Sequence, residues 1–194
     1  IILVQELLGQ GEDLNEGTAI AEDRVNGIAP DAFFEGNGTK DFTLSIDQSV
    51  GSFNNALGSY QVNTDGTFSN VQILFEGARD AALGQTATVS DLADGAMLEF
   101  FFIQNGAEVA AGLTGTLGID ADGTLTEDGT AVDATVFFSS DTALNSDGIE
   151  HFVSGAVDGG GAVRVGLEDL TGGGDRDYQD VVFTVAVSDD ALLI

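Results

Sequence analysis

What most constrains this chain is its rhythm. Short apolar or alternating segments recur along its length, each broken by Gly, Asp or Asn. A period of two gives a strand one buried and one solvated face, and the breaks supply turns, so the pattern predicts an all-β domain. Strands are expected over 41–47, 59–63, 69–77, 96–104, 115–120, 131–139, 150–157, 161–168 and 180–187. In "GAVRVGLE" (161–168), Val163, Val165 and Leu167 share one face while Arg164 takes the other, as in a half-buried strand. "EFFFIQ" (99–104) is apolar on both faces and belongs at the centre of a sheet. An antiparallel β-sandwich, jelly-roll-like, is therefore expected over residues 21–194. Residues 1–20 read as an N-terminal strand or linker segment.

Three Asp-Gly segments, "NTDGTF" (63–68), "DADGTL" (120–125) and "NSDGIE" (145–150), carry the turn chemistry that tolerates positive φ. The first two share a hairpin idiom. "ATVSDLADGAML" (87–98) is open between a loop and one helical turn capped by Ser90 and stopped at Gly95.

Charge narrows the function. With 33 acidic residues against 5 basic, the formal net charge is -28. Such a surface repels phosphate backbones and anionic headgroups, which excludes nucleic acid and membrane surfaces as partners. Cations, neutral ligands such as glycans, or further copies sharing bound cations remain. The 13 Phe and 43% apolar content argue for a packed core rather than disorder. Without cysteine, disulfides and thiolate metal sites are ruled out. A single His, a single Lys and no Trp leave little material for His-based catalysis or phosphate cradling. The longest apolar run, "AMLEFFFI" (96–103), carries Glu99 and is far short of the roughly 20 residues that span a bilayer. "IILVQELLG" opens the chain without a Met or a readable signal peptide, so it reads as the start of a processed or excised chain.

Two acidic stretches invite comparison with calcium loops. "DADGTLTEDG" offers Asp120, Asp122 and Gly123, but its Gly comes two residues early for an EF-hand, and "NTDGTFSN" fails the same way. Both read as turns.

"GLEDLTGGGDRDYQDVVFTV" (166–185) differs in kind. Glu168 and Asp169 end one strand, and Asp175, Asp177 and Asp180 lead into the next. Alternation in extended backbone would bring Asp175 and Asp177 to one side, while Gly172, Gly173 and Gly174 permit positive φ. Two carboxylates about 4 Å apart repel by roughly 4 kcal/mol at an effective dielectric of 20. Arg176 alone cannot balance five of them. Ca²⁺, with its many flexible oxygen ligands, suits this set better than Mg²⁺, which holds its waters in strict octahedral geometry. The competing reading is a solvated acidic hairpin stabilised by turn hydrogen bonds.

His151 reads as a structural hydrogen-bonding residue. Asp141, Asn145 and Asp147 read either as a second oxygen site or as an Asx-rich loop. A paired-carboxylate hydrolase would want aromatic platforms, and only Tyr60 and Tyr178 are offered beside the Phe residues, so no enzyme is expected.

The stretch "VGLEDLTGGGDRDYQDVVFTV" closely resembles the C-terminal signature of a bacterial family, domain of unknown function 4114. Its members read like F-E-D-L-x-G-G-x-D-x-D-Y/F-N-D-V-V-F, and Gln179 stands where an Asn is usual. "NNALGSYQVNTDGTFSNVQILFEGA" (54–78) and "VFFSSDTALNSDGIEHFVSG" (136–155) look like further parts of that family, so the resemblance runs over roughly residues 40 to 187. It implies a β-sandwich in a calcium-rich, extracellular setting, within large secreted bacterial proteins and surface adhesins, and it implies no catalysis. The expected function is a secreted calcium-binding structural or adhesive module of a cell-surface or extracellular matrix protein. One alternative is a self-assembling extracellular filament subunit, a homo-polymer joined by its apolar ends "IILV" (1–4) and "ALLI" (191–194) through strand addition. A glycan-binding or glycan-hydrolysing domain is the third.

Overall fold

The computed structural model describes residues 17–28 and 32–189. The apolar ends on which the filament reading rests lie outside them. Within the described residues, twelve strands form three antiparallel sheets. One sheet has five strands in the order β10 (Phe152–Val157), β11 (Ala162–Leu167), β12 (Val181–Asp189), β1 (Lys40–Ser49) and β4 (Thr86–Val89). A second has four, in the order β3 (Phe68–Phe75), β2 (Ala56–Val62), β5 (Met97–Ile103) and β9 (Val136–Phe138). The third is small: β6 (Leu117–Ile119), β7 (Leu125–Glu127) and β8 (Thr130–Ala131).

The first two sheets pack face to face as a sandwich, and alternation explains their inner faces. Phe42, Leu44 and Ile46 of β1 point inward, as do Val163, Val165 and Leu167 of β11 and Phe183 and Val185 of β12. They meet Leu57, Leu98, Phe100, Phe102 and Phe137 from the four-stranded sheet. Edge-on rings join the layers, with Phe100–Phe183 centroids 5.2 Å apart and Phe102–Phe152 5.7 Å apart.

β5 is central and buried on both faces, as its composition requires. Its outward residues Phe101 and Ile103 join Ala56, Tyr60 and Phe138 in a second apolar layer. A short helix, α1 (Ala107–Gly112), and the small sheet cover that layer through Ala110 and Leu125. Neither α1 nor β7 stands out in the sequence, because each is too short to show a period. The segment 131–139 divides into β8 and β9, and "TATV" forms β4 while "SDLADG" is a loop without a helical turn.

"NTDGTF" joins the paired strands β2 and β3, and "DADGTL" joins β6 and β7. "NSDGIE" closes no hairpin, since β9 and β10 belong to different sheets.

Candidate metal centre

The loop between β11 and β12 leaves the five-stranded sheet at the end where β1 also leaves it. Val181 pairs with both Leu167 and Ser49, and Leu167 pairs with Phe152. Chain segments far apart in sequence therefore meet there: the acidic loop, the β1–β2 connection and the turn after β5.

The loop is not extended. Gly172, Gly173 and Gly174 have φ of 85°, 83° and 45°, and Arg176 and Tyr178 have φ of 58° and 54°. For a non-glycine residue this region costs on the order of 1 kcal/mol. Asp175 and Asp177 thus converge because they flank a left-handed Arg176, not because strand alternation puts them on one side. Tyr178 holds the coil in place: its ring is buried against Val153 and Val182, and its hydroxyl donates to the Glu150 carbonyl at 3.1 Å.

All five acidic residues expected as ligands come together here. Glu168, Asp175 and Asp177 form one group, and Glu168, Asp169 and Asp180 a second, with the ligand oxygens of each group within 4.8 Å of one another. Glu168, Asp169 and Asp177 are only 1%, 2% and 4% exposed. Asp180 is half-buried and Asp175 exposed. A solvated hairpin would leave them in water, so burial argues against that reading.

The donors to these carboxylates are neutral. Backbone N–H groups of Leu170 and Arg176 donate to Glu168 at 3.3 and 3.0 Å. Those of Gly17 and Gln179 donate to Asp177 at 2.7 and 3.0 Å. The Asn55 amide donates to Asp169 at 2.7 Å, and the Asp169 N–H to Asp180 at 2.8 Å. Such donors orient carboxylates without cancelling their charge. The Arg176 guanidinium turns outward to Glu22 at 2.7 Å. Burial first, then the charge of Asp180, holds Glu168 above the usual carboxylate range. Burial raises Asp169 and Asp180 as well, and for Asp180 the charges of Asp169 and Asp177 add to it.

Three supporting residues escape a sequence reading. A Cβ on Gly51 would lie 2.7 Å from Asp180 Oδ1 and 2.8 Å from Asp169 Oδ2, so only glycine lets the β1–β2 connection lie against the carboxylates. Asn55 orients Asp169, and the Gln104 side chain donates to the Asp169 carbonyl at 2.5 Å. All three sit more than 60 residues before the loop. No local pattern links them to it. The Gln179 carbonyl accepts from the Gln48 side-chain amide at 3.3 Å.

His151 is fully buried, with Nδ1 2.7 Å from the Glu168 carbonyl oxygen and Nε2 3.0 Å from Asp147 Oδ2. Its ring stacks on Phe137 at 3.8 Å between centroids. Asp147 also accepts from the Gly172 N–H at 2.8 Å, so the pair brackets the loop, as a structural histidine would. Asp141 caps a short 3-10 turn through the Ala143 N–H, and Asn145 bonds both the N–H and the carbonyl of Phe138. Asp141 and Asn145 thus make loop hydrogen bonds, and Asp147 joins a turn bond from the Ile149 N–H to its bonds with His151 and Gly172, so all three side chains are engaged as an Asx-rich loop would have them.

A cleft of about 250 Å³, lined by Gly51, Ser52, Glu168, Asp175, Asp177 and Asp180, opens the carboxylates to solvent. A larger hollow of about 550 Å³ lies elsewhere, between β3 and the α1–β6 segment. No described helix is long and apolar enough to cross a membrane.

A family model described as Domain of unknown function (DUF4114) matches residues 92–188, half of the chain, taking in β5 through most of β12 and the whole acidic loop. The stretch 54–78, also included in the resemblance, falls outside that span. No curated protein and no solved structure matches.

Proposed function

The chain belongs to the DUF4114 family, and from that premise we propose that it is a secreted, calcium-stabilised β-sandwich module, structural or adhesive, of a bacterial cell-surface or matrix protein. One observation carries the reading. Five carboxylates converge, three of them nearly solvent-free, and the donors to Glu168, Asp169, Asp177 and Asp180 are all neutral. Calcium binds oxygens at about 2.3–2.6 Å, so two oxygens on one ion lie up to roughly 5 Å apart, which suits groups gathered within 4.8 Å. Glu168, Asp169, Asp175, Asp177 and Asp180 would hold the ion and tie the ends of β11 and β12 to the β1–β2 connection. Because the unfolded chain scatters these ligands, binding free energy becomes folding free energy. Extracellular modules bind calcium at about 10⁻⁴–10⁻³ M, which sets the concentration range for a titration. For glycans the chemistry is thinner: Tyr60 and Tyr178 are 1% and 2% exposed, so neither offers a ring face to a sugar.

Calorimetric titration of chelator-treated protein with calcium tests the reading, paired with melting curves in calcium and in EGTA. A saturable heat and a lower melting temperature in EGTA are expected. No heat together with superimposable curves overturns it.

A further inference from the structure

Residues 17–28 run across the outer face of the five-stranded sheet, where Ile20 and Val25 pack on Val153, Tyr178 and Val182. The two ends of this segment are fastened differently. At its C-terminal end, the Asn26 amide donates to the Ser154 carbonyl at 2.7 Å and accepts from the Ser154 N–H at 2.9 Å. The Ser154 hydroxyl donates to the Gly27 carbonyl at 2.7 Å. That end is held by β10, a strand of the sheet. The N-terminal end is held by the acidic loop. The Gly17 N–H donates to Asp177 Oδ2 at 2.7 Å, the Ile20 N–H to the Arg176 carbonyl at 2.8 Å, and Arg176 reaches Glu22 at 2.7 Å.

We propose that residues 17–28 form a strap whose docking and the cation occupancy of the acidic loop stabilise each other; the inference rests on the calcium reading above. Repulsion among Glu168, Asp175 and Asp177 acts on the same short coil that presents Asp177 and the Arg176 carbonyl to the strap. A cation that quenches this repulsion fixes both acceptors in the positions the strap needs. Each oxygen of Asp177 accepts one N–H, which orients the carboxylate and leaves lone pairs for the ion. Coupling of this kind is reciprocal: whatever factor the ion adds to strap docking, the docked strap adds to ion affinity.

Hydrogen exchange on the whole chain, in millimolar calcium and in EGTA, reads the coupling directly. Calorimetry on the same samples reports whether the ion binds. Exchange at Gly17 and Ile20 should slow at least about fivefold in calcium, while the Ser154 N–H, which donates to the Asn26 side chain at the other end of the strap, changes little. The reverse limb uses Ile20→Ser combined with Val25→Ser, expected to weaken calcium binding by about fivefold, with Ile20→Val leaving it unchanged. Calcium heat with unchanged exchange at residues 17–22 overturns the strap and leaves the cation site standing. Unaltered affinity in a double variant that retains its near-UV spectrum also overturns it. Absence of any calcium heat removes the cation site and the coupling together.

Discussion

Two acidic turns that contain glycine behave as opposites in this chain. "DADGTL" joins β6 and β7 with Asp120 and Asp122 in water, and Asp122 accepts the Thr124 N–H at 3.2 Å. "GGGDRDYQD" joins β11 to β12, and its aspartates meet Glu168 and Asp169 under a cover supplied by the β1–β2 connection and by residues 17–20. The residue types and their close spacing are similar. What differs is the number of chain-distant segments that close over the turn. One segment gives an Asx turn; several give a buried cluster of carboxylates.

Calcium withdrawal should separate the two most. At a hundredfold excess over its dissociation constant, a bound ion contributes about 2.7 kcal/mol, worth roughly 5–10 °C in a domain of this size. Scanning calorimetry in calcium and EGTA measures the difference. A shift no larger than an equal change in ionic strength gives would erase the distinction between the turns.

The pH dependence without calcium comes next. Burial leads the rise of Glu168 to about 8 and of Asp180 to about 7. Both folded values exceed the unfolded ones, so the folded state binds more protons between about pH 4 and 8. Stability is therefore full at the acid end and is lost as pH rises through the folded values. Melting temperature in EGTA should fall across that window, and calcium, competing with those protons, should flatten the fall. Glu99 and Glu150, raised by burial to about 7 and about 8 and outside both carboxylate groups, should leave a residual slope that calcium does not remove. Identical pH profiles with and without calcium would contradict the assignment.

Glu168→Gln should act differently with and without the ion. At pH 8 in EGTA it removes a partly ionised carboxylate from both groups but sets its amide NH2 against the Leu170 or Arg176 N–H, so the two effects oppose and the net change should stay within about 1 kcal/mol. In calcium it deletes the one residue common to both groups and should abolish most of the ion's increment. Denaturant titrations in both buffers check this, and a loss of equal size in each would assign Glu168 a purely packing role. The smallest effect belongs to the other turn. Asp122→Asn should change stability by less than about 0.5 kcal/mol with or without calcium, because the amide oxygen still accepts from Thr124.

Much of this contrast is legible in the sequence, though by an incomplete route. The early glycine in "DADG" identifies a turn, and the charge density of 168–180 identifies a cluster too repulsive to stand alone. Strand alternation, the reason offered for the convergence of Asp175 and Asp177, is not the cause, since left-handed Arg176 and Tyr178 do that work. Positive φ at these residues has no signature in composition, because the buried ring of Tyr178 and its bond to Glu150 hold the coil.

Taken alone, the sequence determined the sandwich layers, through the alternation of β1, β11 and β12 and the doubly apolar β5. It also determined the five carboxylates, because local charge density and period-two burial are properties of neighbouring residues. Only the tertiary structure decided that Gly51, Asn55 and Gln104 would enclose those carboxylates, that Arg176 would face away, and that Gly17 would touch Asp177. Those contacts join residues up to 160 positions apart. Sheet register sets them, and no window of sequence contains both partners.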